Sequence, residues 1–174
     1  LSMDLAYLKS EVNRARRTPN DQITFGSFNN ISKINDAVMK AWSEILNRVP
    51  SSRLYLKCKQ LGSPEVQRET VNRFLAHGVQ PDRLLLSAQL GSRPKHLEEY
   101  RKVDIALDTF PYPGVTTSAE ALWMGVPVLS MKGNSFLSST ATSIAVNAGL
   151  IEWVAKDVDE YVAKAVAFAS DSSG

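Results

Sequence analysis

The sequence predicts an α/β fold in which a doubly wound parallel sheet of about five strands carries helices on both faces. Short apolar segments alternate along the chain with longer segments that repeat apolar residues every three to four positions. Such an alternation favours a parallel sheet that is buried on both faces, and right-handed crossovers then wind the helices around it. The predicted strands are residues 23–28, 53–58, 83–88, 103–108 and 126–131.

The segments between these strands predict helices with recognisable start and stop residues. Residues 36–49 carry an apolar stripe on one side, which is typical of a helix packed on a core. Ser63 as N-cap and Pro64 at the first position begin a helix over residues 64–77, and Gly78 ends it. The other predicted helices are residues 94–101, 116–124, 138–147 and 157–170, the last with Asp157 as its cap.

Length and composition limit the domain organisation and the class of partner. A chain of 174 residues fits a single domain with a full core. We expect residues 1–21 to be a helix and linker from a preceding region, 22–171 a Rossmann-like domain, and 172–174 a tail. A net charge of +2, with scattered basic residues and no apolar run of membrane-spanning length, argues against nucleic-acid or membrane partners. The single cysteine, Cys58, favours a reducing, cytoplasmic compartment.

The segment 103–128 carries the most information about a ligand. It combines a buried strand, a Pro/Gly-rich loop, a hydroxyl-bearing helix start and a second buried strand. In a doubly wound sheet the ligand binds at the carboxyl ends of the strands, near the reversal of strand order. Backbone N–H groups at Thr116, Thr117 and Ser118 could bind a phosphate there, and Gly114 lets the backbone approach it closely. The alternative is an ordinary helix-capping cluster.

Three further polar residues suggest the rest of a nucleoside diphosphate ligand. Glu120 could accept hydrogen bonds from two ribose hydroxyls. Alternatively, it could be a solvated helix residue or a first-turn carboxylate favoured by the helix dipole. Lys33 follows the first strand and could neutralise a diphosphate leaving group, or be a solvated surface residue. Asn30 lies in the same loop and is a candidate polar contact.

Histidine and aspartate residues add two more candidates. His96 could stack on a nucleobase with Arg93 near the nucleotide, or be an exposed residue at a helix start. Asp104 and Asp108 lie on one face of a strand, where they could hold a metal ion or anchor a loop. The sequence lacks metal-spaced Cys and His residues, a P-loop and a G-x-G-x-x-G motif. We therefore predict no metal site and no cofactor.

Taken together, residues 28–33, 100–128 and 147–150 resemble the C-terminal catalytic half of O-linked N-acetylglucosamine transferases. The resemblance is greatest to bacterial members in which this region follows tetratricopeptide repeats, and to the plant SPINDLY-type O-fucosyltransferases, and it covers about residues 23–171. It implies the C-terminal domain of a GT-B glycosyltransferase, whose two Rossmann-like domains face each other across a cleft. The implied partners are a nucleotide sugar, the N-terminal Rossmann-like half, the tetratricopeptide repeats and an acceptor protein.

The resemblance also assigns the residues that would contact the diphosphate. Lys33 would bind it and favour its departure, with Asn30 beside it. Thr116 and Thr117 would hold phosphate oxygens through backbone N–H and hydroxyl groups. The implied reaction is the inverting transfer of a sugar to a Ser or Thr hydroxyl without a metal ion, and we expect the isolated chain to be inactive.

The nucleoside end of the donor is assigned in the same way. His96 would stack against the base with Arg93 nearby, and Glu120 would bind the ribose. Val115 departs from the histidine of the animal enzymes, and Ser139 stands where an arginine is usual. The expected donor is therefore UDP-N-acetylglucosamine, with two alternatives: GDP-fucose as donor, or a non-catalytic nucleotide-binding or interaction module.

Overall fold

The computed structural model describes residues 23–88, 93–110, 115–131 and 153–173, and for residues 93, 94, 115, 116 and 170–173 it describes the backbone alone. The predictions for residues 1–21, for the helix 138–147, and for the motif 147–150 lie outside these ranges. Gly114 and Ser139 also lie outside them.

The described strands form one parallel sheet of six strands in the order β3-β2-β1-β4-β5-β6. Strand order therefore reverses at β1, which has β2 on one side and β4 on the other. The sixth strand follows the five predicted ones, and its two residues are too few to give an apolar pattern in the sequence. The strands are β1 Thr24–Ser27, β2 Arg53–Lys57, β3 Leu84–Ser87, β4 Ile105–Leu107, β5 Val128–Met131 and β6 Val154–Ala155.

Five α-helices and four short 3-10 helices connect the strands in the described ranges. No helix in this part of the chain is long and apolar enough to span a membrane. The α-helices are α1 Asp36–Arg48, α2 Pro64–Leu75, α3 Arg93–Glu98, α4 Val115–Trp123 and α5 Val158–Ser173. The 3-10 helices are Ile31–Lys33, Lys59–Gly62, Pro81–Arg83 and Glu99–Lys102.

Two of the three predicted helix caps are confirmed by their hydrogen bonds. Gly78 has a φ of 83°, and the N–H of the next residue donates to the Phe74 carbonyl at 3.1 Å, which terminates α2. The Asp157 carboxylate accepts from the Glu160 N–H at 2.8 Å at the start of α5. Ser63 occupies the N-cap position of α2 as predicted, although its hydroxyl makes no capping hydrogen bond.

Alternating side chains cover both faces of the sheet, which confirms the doubly wound prediction. Phe25, Leu54 and Ile105 face the larger core, which α1, α2 and α5 cover. The residues next to them along the strands face a smaller core on the side of α3 and α4. That smaller core consists of Phe28, Tyr55, Tyr100, Val103, Ala106, Ala121, Val126 and Val128.

A buried tyrosine joins α1 and α5 to the end of β4. Trp42 Nε1 donates to the Tyr161 hydroxyl at 2.9 Å, and that hydroxyl donates to the Asp108 carbonyl at 2.8 Å. Burial raises the Tyr161 pKa well above its ordinary value, so the group keeps its proton and remains a donor. This network fixes the position of the carboxyl end of β4.

The two aspartates that flank β4 anchor the backbone. Asp104 Oδ2 accepts from the Thr24 N–H at 2.8 Å. Asp108 Oδ1 accepts from the Thr109 N–H at 2.9 Å, and its Oδ2 accepts from the Ser130 hydroxyl at 3.2 Å. These contacts support loop anchoring, the second of the two interpretations that the sequence left open.

Gly26 allows a close approach between β1 and the residue that leads into β4. A Cβ atom on Gly26 would lie 2.5 Å from Cγ2 of the buried Val103. We expect Gly26→Ala to lower the free energy of unfolding by about 1–3 kcal/mol, because the stiff valine side chain must move. Urea denaturation of the two proteins measures the difference.

Gly62→Ala is the matched control, because a Cβ there would meet only Ala88 Cβ at an ordinary 3.5 Å. If the clash is the cause, adding Val103→Ala to Gly26→Ala should destabilise less than the sum of the two single substitutions. Strict additivity would contradict this explanation.

Candidate functional site

The candidate site lies at the carboxyl ends of β1, β2 and β4, where the strand order reverses. Loops that leave the sheet at such a point diverge and leave a crevice between them. Here the crevice lies between the end of β1 and the start of α4, and this is where the sequence placed its ligand. The polar residues of its lining are Ser27, Asn29, Tyr100, Asp108, Thr117 and Ser118.

An asparagine holds the start of α4 against the end of β1. Thr117 Oγ1 donates to Asn29 Oδ1 at 2.8 Å, and Asn29 Nδ2 contacts Ser27 Oγ at 3.4 Å. The predicted contact was the neighbouring Asn30, which is exposed and whose Oδ1 accepts from the Ser32 N–H at 2.9 Å. Asn29 is thus a site residue that the sequence prediction did not select, and a ligand contact by Asn30 stays a prediction.

The other residues assigned to the diphosphate lie along the same edge of the sheet. Lys33 is half-buried and ends the 3-10 helix that follows β1. Ser118 is buried in the first turn of α4. Thr116 lies in α4 and Arg93 in α3, but their side chains are outside the described part of the chain, as is Gly114 altogether.

His96 and Glu120, both assigned to the nucleoside, contact each other. His96 Nε2 lies 2.9 Å from Glu120 Oε2, and each side chain is 11% exposed. The Tyr100 hydroxyl lies 3.1 Å from the same carboxylate oxygen and 3.2 Å from the Thr117 carbonyl. The alternatives of an exposed histidine and a solvated glutamate are therefore wrong, while their contacts with a ligand stay predictions.

Lys57, the last residue of β2, also belongs to this cluster. Its Nζ lies 3.2 Å from His96 Nδ1, and the residue is only 4% exposed. Burial lowers the pKa of Lys57, and the nearby Glu99 and Glu120 carboxylates partly offset this by favouring the charged form. The one sequence feature that could have identified Lys57 is its position, because it is a charged residue at the carboxyl end of a buried strand.

A second hydrogen bond closes the cluster on the side of β2. The Tyr55 hydroxyl donates to Glu99 Oε2 at 2.5 Å. Burial, followed by this bond, raises the pKa of Tyr55 to about 12. The same bond is the largest cause of the lowered pKa of Glu99, to which Lys102 also contributes from 3.0 Å.

The described residues contain no group of three or more His, Cys, Asp and Glu side chains that could hold a metal ion. The absence of a metal requirement stays a prediction. Cys58 is a buried free thiol.

The comparison with known proteins decides the family. The model of glycosyl transferase family 41 matches residues 9–173, which is nearly the whole chain. The chain belongs to this family. The resemblance to O-linked N-acetylglucosamine transferases and SPINDLY proteins is thereby confirmed.

Curated relatives of this family 41 chain come from plants and animals. The chain is 40% identical over 160 residues to a protein of Petunia hybrida named probable UDP-N-acetylglucosamine–peptide N-acetylglucosaminyltransferase SPINDLY. It is 34% identical over 155 residues to the UDP-N-acetylglucosamine–peptide N-acetylglucosaminyltransferase of Caenorhabditis elegans. These matches cover 92% and 88% of this chain, but only 17% and 13% of the relatives. The chain therefore spans less than a fifth of either relative.

A solved structure of an O-GlcNAc transferase confirms the fold class. A mutant of the O-GlcNAc transferase of Thermobaculum terrenum superimposes with a TM-score of 0.82 and 34% identity. The match covers 91% of this family 41 chain and 32% of that one. The domain is thus the predicted α/β domain of a GT-B glycosyltransferase.

We expect Tyr55→Phe to destabilise the protein in a pH-dependent way, because it removes the donor that lowers the Glu99 pKa. A carboxyl group with a lowered pKa stabilises the fold above its ordinary pKa, and this contribution disappears as the pH falls through the lowered value. The variant should therefore be less stable near neutral pH, and its deficit should shrink below about pH 4. Urea denaturation over this pH range measures the deficit.

Glu99→Gln supplies the control for this pH dependence. In its background the substitution of Tyr55 should have an effect that does not vary over the same pH range. A deficit that stays constant in the otherwise unchanged protein would show that Glu99 is not the cause.

Proposed function

We propose that this chain is the nucleotide-sugar-binding half of an inverting protein O-glycosyltransferase. The donor is UDP-N-acetylglucosamine and the acceptor is a Ser or Thr hydroxyl of a protein. One observation carries the proposal, which is the contact between Thr117 and Asn29 that holds the start of α4 over the crevice. The names of the petunia and worm relatives, which state this donor and a peptide acceptor, support it.

The start of α4 is suited to a diphosphate. The first-turn N–H groups of a helix have no partner within the helix, and they point along the positive end of its dipole. Ser118 lies in this turn, next to Thr117, whose hydroxyl Asn29 orients. We assign the diphosphate to this turn, with the Thr116 hydroxyl and the Thr117 backbone N–H as its contacts and Gly114 at the point of closest backbone approach, while the Thr117 hydroxyl donates to Asn29.

We place the nucleoside beside the residues one turn further along α4. We assign the ribose hydroxyls to the Glu120 carboxylate, because a carboxylate can accept about four hydrogen bonds. The base stacks against His96, with Arg93 of α3 nearby. His96 and Glu120 contact each other, so ribose and base would meet one continuous surface.

The reaction needs charge stabilisation on the leaving group. The acceptor oxygen attacks the anomeric carbon, and the bond from that carbon to the diphosphate oxygen breaks on the opposite side, which inverts the configuration. Lys33 and the start of α4 stabilise the charge that develops on the diphosphate. Asn30 lies beside Lys33 in this arrangement.

We assign the remaining functions to regions beyond this chain. The N-terminal Rossmann-like half supplies the opposite wall of the cleft and the general base that takes the proton of the acceptor hydroxyl. The tetratricopeptide repeats bind the acceptor protein. The chain alone would then bind nucleotide without transferring sugar. A cytoplasmic location is part of the proposal, and the buried free thiol of Cys58 supports it.

Nucleotide titration tests this proposal. We expect UDP to bind in calorimetry and to stabilise the fold by about 2.7 kcal/mol at a hundred times its dissociation constant. Glu120→Gln should weaken binding about 10-fold, the equivalent of one hydrogen bond to a charged group. Glu98→Gln, on the exposed side of α3, should leave binding unchanged.

The same titration separates the alternatives. Tighter binding of GDP and GDP-fucose would identify an O-fucosyltransferase, in line with the departures at Val115 and Ser139. Binding of no nucleotide would indicate an interaction module.

We expect Lys33→Met to reduce kcat about 100-fold, because one donor to the leaving group is lost in the transition state. The effect on nucleotide affinity should be smaller. Transfer of radiolabelled sugar by the protein at its natural length measures kcat. Lys40→Met, on the exposed surface of α1, is the control, and equal losses for the two variants would contradict the role of Lys33.

A further inference from the structure

Lys57 is a buried cation that the proposed reaction does not use. It ends β2 on the sheet face that also carries Tyr55 and that α3 and α4 cover. Its Nζ lies 3.2 Å from His96 Nδ1 and 5.5 Å from the centre of the Phe28 ring. Burying an ammonium group is costly unless polar partners compensate for its lost hydration.

The contact with His96 determines where the imidazole carries its proton. An ammonium group has three donors and no acceptor, so Nδ1 must accept the hydrogen bond from Lys57. The proton of the neutral ring is then on Nε2, which donates to Glu120 Oε2 at 2.9 Å. The Lys57 charge thereby faces the Glu120 carboxylate through the ring, with Glu99 and Lys102 as the other nearby charges.

We propose that Lys57 is a positioning residue that holds His96 in the Nε2–H tautomer and, through it, orients Glu120 for the nucleoside. This inference rests on the proposed function for its effect on binding, but not for the tautomer. Because both ring nitrogens of His96 are engaged by protein groups, a ligand can meet only the part of the ring that Phe28 and Tyr100 leave uncovered. Stacking of this kind accepts any base, so His96 contributes affinity without choosing between uracil and guanine.

Nitrogen-15 NMR of the histidine rings tests the tautomer directly. The sequence has two histidines, His77 and His96, and a His77→Gln variant assigns their signals. In the unsubstituted protein without ligand, we expect His96 to carry its proton on Nε2. A proton on Nδ1 would overturn the proposal, because an ammonium group cannot accept it, and this result does not depend on whether any variant folds.

Lys57→Met removes the donor at similar volume. We expect the Nδ1 signal of His96 to shift in this variant, because that nitrogen loses its hydrogen-bond donor, and UDP to bind about 10-fold more weakly. UMP should lose the same factor, because Lys57 acts on the nucleoside end of the site. KM should rise by this factor with little change in kcat, and Lys57→Arg should recover part of the affinity.

Lys102→Met is the matched control, since it removes a nearby exposed cation that contacts Glu99 and not His96. It should change neither the tautomer nor the affinity. An unchanged His96 spectrum in Lys57→Met, an equal loss of affinity in Lys102→Met, or a loss that grows with the number of phosphates would each overturn the role of Lys57. If the unsubstituted protein binds neither UDP nor GDP, the proposed function fails, and the tautomer result still decides the role of Lys57.

Discussion

The pairing of β1 with β4 is the constraint on which the candidate site depends. These strands share only two register pairs, Phe25 with Ile105 and Gly26 with Ala106. The lack of a side chain at Gly26 lets the chain before β4 pack close beside β1. Because strand order reverses here, the loops after the two strands leave in different directions. The crevice between them is where Asn29 and Thr117 meet.

The buried polar groups around the candidate site are hydrogen-bonded to one another. Asn29 binds Thr117, Tyr55 binds Glu99, and His96 lies between two charged side chains. Among the described side chains, no buried nitrogen or oxygen atom lacks a hydrogen-bond partner. A fully hydrogen-bonded polar cluster is rigid, because moving one member would leave its buried partners without a hydrogen bond. The surface offered to a ligand is therefore organised before the ligand arrives.

The sequence predicted the elements whose signals are local, and it missed those that depend on packing. Five strands were recognisable as apolar runs, whereas the two residues of β6 give no pattern of their own. The motif residues His96 and Glu120 were selected individually, but their mutual contact depends on how α3 and α4 pack. Which of Asn29 and Asn30 faces the crevice depends on how the chain turns after β1. Lys57 was missed because lysine is ordinarily a surface residue, and its burial follows from the helices above β2.

The pairing of β1 with β4 also affects the order in which the protein folds. The backbone N–H of Thr24 donates to Asp104, which lies 80 positions away immediately before β4. On its other side Thr24 pairs with Arg53 at the start of β2, only 29 positions further along the chain. Closing the longer loop costs more chain entropy, and distant pairings of this kind slow folding. The half of the sheet from β1 to β3 can thus form early, while the crevice exists only after the late arrival of β4. A newly made chain would therefore complete its candidate site only near the end of folding.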